Sequence, residues 1–392
     1  MMPFDTVTLI ICAVVIVTAI VTPMMNIFFR KVRTGEEALS PKEDEKLPPL
    51  SVLLTVHDNA RELERHLPAI LSQDYPSGYE VIAVVSKGED DTDDVLKQFA
   101  NSHSNLYMTF IPDTSRYMSR KKLAVTLGVK AAKNDWVLMT DATCQPSSDQ
   151  WLKHMARQAA AGTDLIIGYS NYDDEASDYQ RFERLINQRY ILRKAQRGIA
   201  YRCEPGNLMF RKTLFLDGRG FEGNLKYIRG EYDFIVNKFA EHGNVATVTD
   251  PNAWIIEDAP TNKQNRNRHL YYMETRRHLA RSFGYRLPVW MDQCALHLTI
   301  LLIMASFAYG GFLLATQPSE GKGWLFIGCA TVALVVTLLI RSIFAQRGCK
   351  LFGEQIPAWK ILPFEIVTIW KELQNKIRYL LADKYNFICH KV

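Results

Sequence analysis

The chain has 392 residues, a formal net charge of +5 and hydrophobic residues at 47% of its positions. This length leaves room for two or three domains. The weak positive charge suits contact with anionic lipids or anionic substrates, and we expect no nucleic-acid partner. The seven cysteines include no Cys-x-x-Cys pair and no zinc spacing, which argues for reduced, structural thiols.

Three apolar runs stand out, at residues 7–29, 294–315 and 324–340, and none contains Asp, Glu, Lys or Arg. About 20 apolar residues cross a bilayer core, so the first two runs are long enough and the third is at the short end. We predict one N-terminal and two C-terminal transmembrane helices, with buried core helices as the alternative. A cleaved signal peptide is rejected because the start is not basic and no small-x-small site precedes Arg30.

Basic residues flank the apolar runs on one side. Three of them follow the first run and three follow the third: Arg30, Lys31, Arg33, Arg341, Arg347 and Lys350. The positive-inside rule therefore places the N-terminus outside, and residues 30–287 and the C-terminal tail in the cytoplasm. We predict a multi-pass protein of the inner (plasma) membrane with its soluble part in the cytoplasm.

The soluble region begins after a charged, proline-containing linker at residues 31–48. Strand-like apolar runs then alternate with helical patterns. The strands are predicted at 50–56, 79–85, 107–111 and 136–139, and the helices at 61–71, 91–99 and 121–133. Strands separated by helices indicate an α/β fold with a mostly parallel sheet that helices cover.

The second half of the soluble region alternates less regularly. Strands are predicted at 164–169, 207–210 and 244–249, and helices at 179–197 and 231–242. After the third apolar run, residues 355–381 mix aromatic side chains with lysines and arginines. That composition is typical of a helix lying on the membrane surface, and a helix that docks on the soluble domain is the alternative.

One strand delivers a single carboxylate to its end. The stretch Asn134-Asp-Trp-Val-Leu-Met-Thr-Asp-Ala-Thr-Cys-Gln-Pro146 predicts a buried strand followed by Asp141 on a short turn. Ligands of open α/β sheets bind beyond the carboxyl ends of the strands. Asp141 could hold a metal ion or a ribose there; the alternative is a turn or helix-capping aspartate.

Several segments, in this order, resemble family-2 glycosyltransferases of the GT-A fold, of the membrane-anchored bacterial type. They are the opening strand 49–59, Leu71-Ser-Gln-Asp-Tyr-Pro76, Lys121-Lys-Leu-Ala-Val-Thr-Leu-Gly128, the Asp141 turn, and Gly206-Asn-Leu-Met-Phe-Arg-Lys212 followed by Gly218-Arg-Gly-Phe221. The resemblance implies a GT-A domain, Rossmann-like and covered by helices, at residues 49–285. The remaining predicted segments are helix 1–30, linker 31–48, two helices within 286–342 and a cytoplasmic or interfacial tail at 343–392.

The resemblance also implies chemistry: transfer of a sugar from a nucleotide-diphosphate donor with inversion at the anomeric carbon. The donor's leaving group gains negative charge, which a divalent ion (Mg²⁺ or Mn²⁺) or side-chain cations must meet. The resemblance places Asp141 at the metal, but Thr143 stands where a second Asp is usual, so metal dependence is left open. It assigns donor binding to residues near the strand ends and on a later helix: Thr55, His57, Ser86, Lys121, Asp141, Arg277 and His278.

Some of these assignments have structural alternatives. Lys121 and Lys122 could be solvated charges, and His57 could be a structural loop residue. Ser86 replaces the Asp that contacts the nucleotide base in the family, and Asp90 or Asp91 could instead cap the next helix. The family's Gln-x-x-Arg-Trp motif, or its His-ending variant, falls on Glu274-Thr-Arg-Arg-His278, where arginine could bind pyrophosphate or only meet lipid head groups.

The acceptor side carries the general base. The family's acidic segment corresponds to Gly230-Glu-Tyr-Asp-Phe234, with Tyr232 at the usual base position. Tyrosine is a poor base near neutral pH because its ordinary pKa is about 10. We therefore predict Asp233, then Glu231, as the base; the alternative is two first-turn acids that stabilise a helix. Gly206 and Asn207 are predicted to lie on the acceptor side.

The flanking spans favour a membrane-anchored enzyme that acts on a lipid-linked or envelope-glycan acceptor, with the lipid bilayer as a further partner. Departures at Ser86, Thr143, Tyr232 and Glu274 leave a second hypothesis. In it the chain is a catalytically degenerate relative that binds sugar nucleotide or scaffolds a glycan-assembly complex.

Overall fold

A computed structural model describes residues 5–34, 47–86, 88–112 and 119–389. The chain divides into two compact units: residues up to 31 together with 281–371, and residues 32–280 together with those from 372 onward. Most of the predicted linker 31–48, and Lys87 of the loop after the second strand, lie outside the described residues. The tail predicted as one segment, 343–392, is divided between the two units.

Strands and helices alternate through the α/β unit. In chain order the strands are β1 Leu50–Val56, β2 Tyr79–Val85, β3 Leu106–Phe110, β4 Trp136–Asp141, β5 Cys144–Pro146, β6 Leu165–Gly168, β7 Ser170–Tyr172, β8 Leu208–Arg211, β9 Val245–Val248 and β10 Ile255–Glu257. The helices of the whole chain are α1 Thr6–Val21, α2 Ala60–Leu71, α3 Thr92–Ser102, α4 Arg120–Ala131, α5 Trp151–Ala156, α6 Asp178–Ala195, α7 Lys212–Asp217, α8 Glu231–Phe239, α9 Asn262–Thr275, α10 Phe283–Thr316, α11 Lys322–Leu351 and α12 Ala358–Leu381.

Seven strands form the main sheet, in the order β3-β2-β1-β4-β8-β6-β9. The pairs among β3, β2, β1 and β4 are parallel, and β8 is antiparallel to both of its neighbours. The central strands are buried almost throughout, as expected for a sheet that helices cover on both faces. The predicted fold class, a mostly parallel α/β sheet with apolar helices at both ends of the chain, is confirmed.

A second sheet of three short strands, β5-β10-β7, was not predicted. Each of its strands has only three residues. So short a strand shows no recognisable alternation in the sequence. The strand predicted at 164–169 corresponds to β6, and β7, which begins at Ser170 and joins the second sheet, was not predicted.

Helix α2 agrees with its prediction at 61–71, whereas helix α9 was not predicted. Helix α2 continues through Pro68, because Leu67, Ile70 and Leu71 all bury their side chains in the core and this packing outweighs the local penalty. Helix α9 was not predicted because its sequence is strongly polar with no apolar period. A capping box of Thr261 and Gln264 begins it.

The other unit is built from α1, α10, α11 and the first part of α12. Among the described residues, three helical segments are long and apolar enough to cross a membrane: Thr6–Met25, Phe283–Thr316 and Lys322–Leu351. Helix α11 continues beyond the apolar run that the sequence predicted and includes Arg341. This guanidinium is fully buried and pairs with Glu365 at 2.7 Å and Asp292 at 2.9 Å, so each charge has a partner.

Candidate active site

The candidate site lies where the two central parallel strands end. Thr55 on β1 pairs in register with Asp141 on β4. The sequence predicted Asp141 on the turn after the strand, but the structure makes it the last residue of β4. Both residues therefore lie at the carboxyl edge of the sheet, which is the ligand-binding edge of open α/β folds.

Asp141 makes an ion pair with Lys121 in the first turn of α4. The Lys121 Nζ lies 2.7 Å from Asp141 Oδ1, and both side chains are partly exposed, at 22% and 17%. The same ammonium lies 5.7 Å from the centre of the Tyr232 ring. A partly exposed cation at this edge can meet the negative charge of a phosphate group. Lys121 and Asp141, predicted from separate motifs, are thus brought together.

The residues around Asp141 offer few protein ligands to a divalent ion. Among the described residues, no group of three or more His, Cys, Asp or Glu side chains could hold a metal ion. Asp141 is the one carboxylate at this strand end, with Thr143 two positions on. A Mg²⁺ site commonly uses one or two carboxylates and completes its shell with phosphate oxygens and water. The residues therefore fit an ion whose shell is completed by phosphate oxygens of a ligand and by water, and the described residues do not form a closed protein site.

The loops after β1 and β2 are tied together beside this edge. His57 Nδ1 lies 3.2 Å from the backbone oxygen of Ser86, whose N–H donates to Val56 O at 2.9 Å. Ser86 is buried, whereas the His57 side chain is half exposed. Asp58, in the left-handed region at φ 52°, accepts from the Glu89 N–H at 2.8 Å. The structure thus places Ser86 and His57 together, with the imidazole open to a ligand.

Three consecutive side chains at the start of α8 point in different directions. Glu231 is buried, with Oε1 3.7 Å from Lys122 Nζ. Tyr232 is buried beneath Lys121, and burial together with the charge of Asp141 raises the pKa of its hydroxyl. Asp233 accepts a bond from Arg202 Nε at 3.2 Å. Tyr232, which holds the family's usual base position, is therefore the member that faces the Lys121–Asp141 pair.

Asp233 has the electrostatics of a group poised to take a proton. Burial raises its pKa from 3.8 to about 6, although the adjacent Arg202 acts in the opposite direction. A carboxyl whose pKa lies near the working pH is well suited to general base catalysis. The sequence alone did not predict where the Glu231 and Asp233 side chains point, because their directions depend on the elements against which α8 packs.

Sequence reasoning missed a chain of buried ion pairs that extends from Asp233. It alternates in sign along the side chains of Asp233, Arg202, Glu204, Arg184, Glu257 and Arg268. Arg202 also stacks on the Tyr272 ring at 4.1 Å. The run Arg202-Cys-Glu204, just before the Gly206 motif, was the one signal available in the sequence, and it does not reveal its partners.

Lys122 has a structural task rather than contact with a phosphate. Its side chain is completely buried, and its ammonium donates to the backbone oxygens of Tyr227 and Arg229. Burial lowers the pKa of this amine. Adjacent lysines thus face opposite ways: Lys121 towards the strand edge, and Lys122 into the segment that leads to α8.

Gly206 and Asn207 shape the backbone next to Asp141. Gly206 has φ 99°, and a Cβ there would lie 2.8 Å from the sulfur of Cys144. Asn207 is fully buried; its amide donates to Tyr169 O and Ala253 O and accepts from Trp151. The Asn207 side chain is therefore fully engaged within the protein, so its predicted role on the acceptor side would be exerted through the backbone turn.

Arg277 and His278 follow the end of α9. Arg277 Nη1 donates to the Tyr379 hydroxyl at 2.9 Å. The His278 ring stacks on Tyr227 at 4.1 Å, and its Nε2 lies 3.0 Å from Glu274 Oε1. The stacking connects His278 to the segment before α8, whereas Arg277 contacts α12. The structure records none from either side chain to Asp141, so donor binding by them stays a prediction.

Comparisons with known proteins agree with this architecture. Residues 51–217 match the family model described as Glycosyl transferase family 2. The glycosyltransferase AglE of Haloferax volcanii is 26% identical over 185 residues, 46% of this chain and 58% of AglE. The chain thus spans a little over half the length of that curated relative.

A solved structure resembles most of the chain. It is the mannosyltransferase PcManGT from Pyrobaculum calidifontis in complex with GDP-Man and Mn²⁺, with a TM-score of 0.51 and 16% identity. The likeness covers 84% of this chain and 99% of that one, and at this identity it shows a shared fold.

The sheet and its polar carboxyl edge define an open α/β domain with a ligand-binding edge. The family match identifies residues 51–217 of this chain as a Glycosyl transferase family 2 domain. The predicted family and the predicted class of enzyme are confirmed; the bacterial type stays a prediction.

Proposed function

We propose that this protein transfers a sugar from a nucleotide-diphosphate donor to an acceptor hydroxyl, with inversion at the anomeric carbon. One observation carries the proposal: the Lys121–Asp141 pair lies at the carboxyl end of β4, directly beside the first turn of α8. A donor-side cation and the helix turn that carries the candidate bases are then brought to one edge of the sheet. The family match gives this arrangement its chemistry.

The donor's diphosphate is assigned to Lys121 and Asp141. Transfer leaves negative charge on the departing diphosphate, so positive charge fixed beside it lowers the barrier. A bound divalent ion, held by Asp141 and the donor's phosphate oxygens, would supply further positive charge there. PcManGT, whose complex contains Mn²⁺ and GDP-Man, supports a nucleotide-sugar donor and a divalent cation in general terms. His57 and Ser86 are assigned to the nucleoside.

The acceptor hydroxyl must lose a proton as it attacks. We assign this proton to Asp233, with Glu231 as the alternative, since a carboxylate with a pKa of about 6 can accept it near neutral pH. Asp233 is largely buried and paired with Arg202, so the acceptor hydroxyl must reach it at the first turn of α8. Catalytic geometry often tightens only when substrate binds.

The acceptor is proposed to be lipid-linked or an envelope glycan. The family domain lies between apolar helices in the sequence, and all three are long and apolar enough to cross a membrane. Attachment to a membrane raises the local concentration of a lipid-bound hydroxyl. The inner membrane, with the family domain in the cytoplasm, follows from the positive-inside rule applied to the basic flanks.

The test is a donor screen on the purified full-length protein in detergent. Nucleotide sugars are incubated with lipid acceptors, with and without Mn²⁺, and both nucleotide-diphosphate release and glycolipid formation are measured. We expect turnover by the wild type and a loss of at least about a hundredfold in Asp141→Ala. Asp149→Ala, which removes an exposed carboxylate in the loop before α5, is the matched control and should keep its activity.

One observation favours the second candidate, a non-catalytic binder of sugar nucleotide. Tyr232, a weak base whose pKa is raised further by burial, faces the donor side at the family's base position. Nucleotide binding that needs Asp141, without turnover of any donor, would support this reading and contradict the transferase.

A further inference from the structure

The segment before α8 is held in place by three separate parts of the α/β unit. The first is the start of α4. The Ser119 hydroxyl donates to Ile228 O at 2.9 Å, and the buried Lys122 ammonium donates to the Tyr227 and Arg229 oxygens. Since Lys121 precedes Lys122, the helix that presents the donor-side cation also holds this segment, residues 226–230.

The second part is the end of α9. Tyr227 stacks on His278 at 4.1 Å, and its hydroxyl lies 3.2 Å from the His278 Nδ1. Gly230, with φ 99°, passes so close to Thr275 that an added Cβ would lie 2.6 Å from the threonine methyl. The turn into α8 therefore has little space to move on this side.

The third part is the C-terminal tail, defined as residues 382–389. Ile388 forms an antiparallel bridge with Tyr227. The Ile228 N–H donates to Phe387 O at 3.0 Å, and the Cys389 N–H donates to Lys226 O at 2.8 Å. The tail thus pairs with segment 226–230 through one β-bridge and two flanking backbone hydrogen bonds. These residues lie well beyond the family match, which ends at residue 217.

The C-terminal tail has its own anchor in the α/β unit. Phe387 is buried in a cluster with Met273 and Tyr379. The Tyr379 hydroxyl contacts Glu274 and Arg277, and Lys384 Nζ lies 3.5 Å above the Tyr379 ring. Burying a phenylalanine side chain contributes about 1.5–3 kcal/mol, which favours the docked position of the tail. The tail is therefore fastened to α9 and can act on segment 226–230.

We propose that the C-terminal tail is a positioning element of the active site: by pairing with segment 226–230 it sets the location of the first turn of α8. The proposal rests on the function proposed above, because that turn carries Glu231, Tyr232 and Asp233. Cys389 lies near enough to Lys122 and Glu231 for their charges to act on its thiol, so the tail reaches the same buried pair. A displacement of about 1 Å at a catalytic group can lower the rate a hundredfold.

Two pairs of substitutions in the full-length protein test the proposal. Cys389→Pro removes the N–H that bonds Lys226 O, while Cys389→Ala keeps that N–H and removes only the thiol. Phe387→Ala removes the aromatic anchor, while Phe387→Leu keeps an apolar side chain there. For each protein we measure kcat, KM for the donor, the Kd of the nucleotide diphosphate by calorimetry, and hydrogen exchange of the amides at 224–231.

We expect Cys389→Pro and Phe387→Ala to lower kcat about tenfold to a hundredfold. Exchange at 224–231 should speed up, and the nucleotide-diphosphate Kd should change less than about twofold, since β4 and Lys121 are untouched. Cys389→Ala should match the wild type, and Phe387→Leu should recover most of the rate. A general loss of folding would instead weaken nucleotide binding and speed exchange across the whole α/β unit.

The outcomes separate the two proposals. If the wild type turns over donor and Cys389→Pro retains both its rate and its slow exchange at 224–231, the positioning role is overturned. If the wild type turns over no donor, the transferase proposal fails. Hydrogen exchange at 224–231 then tests the positioning role of the tail. Faster exchange confined to 224–231 in Cys389→Pro then supports the positioning role, and unchanged exchange rejects it.

Discussion

Lys121 and Asp141 form an ion pair, with 2.7 Å between Nζ and Oδ1, that joins the first turn of α4 to the last residue of β4. The pair places one cation and one carboxylate at the carboxyl edge of the sheet, beside Tyr232. Its partial exposure leaves both charges open to a ligand.

Replacement of Lys121 by methionine should weaken binding of a nucleotide diphosphate about tenfold to a hundredfold. The physical reason is the loss of a charge-assisted hydrogen bond, which contributes about 1.5–3 kcal/mol. Calorimetric titration with the diphosphate measures the effect. Lys130→Met, at an exposed position of the same helix, is the control and should bind normally. Equal affinity in Lys121→Met and wild type would remove Lys121 from the donor site.

Thr143→Asp should create a tighter site for Mn²⁺. The substitution adds a carboxylate two residues after Asp141, and the affinity of hard cations rises with the number of charged oxygen ligands. Without donor present, we expect at least about tenfold tighter Mn²⁺ binding, measured by titration with paramagnetic resonance detection. Thr143→Val is the control. Unchanged Mn²⁺ affinity would show that residue 143 does not face the ion.

Asp233 predicts a specific pH dependence of stability. Burial raises its pKa from 3.8 to about 6, so between these values the folded protein keeps a proton that the unfolded chain has released. The protonated Asp233 side chain therefore adds to the free energy of unfolding below about pH 4, and this contribution is lost as the pH rises to about 6. About two pKa units correspond to about 3 kcal/mol. Asp233→Asn should abolish this slope in unfolding experiments across pH 4–7.

The same titration should appear in the rate. A base must be ionised, so kcat/KM should rise as the pH passes about 6. Asp233→Asn should lose at least about a hundredfold in rate. Tyr232→Phe removes the neighbouring hydroxyl and should keep both the rate and the pH profile. Loss of activity in Tyr232→Phe with an active Asp233→Asn would transfer the base role to the tyrosine.

Arg202→Leu should be strongly destabilising, by about 3–5 kcal/mol, because it leaves two buried carboxylates, Asp233 and Glu204, without their shared partner. Arg211→Leu is the matched control. Its partners Asp135 and Asp164 are partly exposed, so its loss should cost less than about 1 kcal/mol. Unfolding by denaturant, followed in both variants, compares the two. Similar losses would show that the buried chain of ion pairs does not contribute as described.

The central strands could be read from the sequence because burial on both faces makes their residues continuously apolar. Strand β1, at 50–56, matches its prediction residue for residue. The short strands β5, β7 and β10 could not be found, because three residues carry no period and their pairing depends on distant partners. Helix α9 was not predicted because its sequence is strongly polar and shows no apolar period.

The candidate site likewise contains residues that the sequence identified and roles that only the structure revealed. Lys121 and Asp141 were recognisable from local motifs, and the parallel sheet brought them together as the motif order implied. No local pattern distinguishes the exposed Lys121 from the buried Lys122, since they are identical neighbours. Their different roles follow from the helical rotation of about 100° per residue, which turns one towards the strand edge and the other into segment 226–230.

The sequence by itself determined the family, the mostly parallel sheet, the apolar helices and the residue at the end of β4. Those features depend on near neighbours and on the periodicity of burial, which a single chain displays directly. Only the tertiary structure decided that Tyr232 faces Lys121, that Arg202 pairs with Asp233, and that the C-terminal tail pairs with Tyr227. Each of these contacts joins residues that are far apart along the chain. Such pairings depend on how the elements pack in three dimensions, which no local sequence pattern encodes.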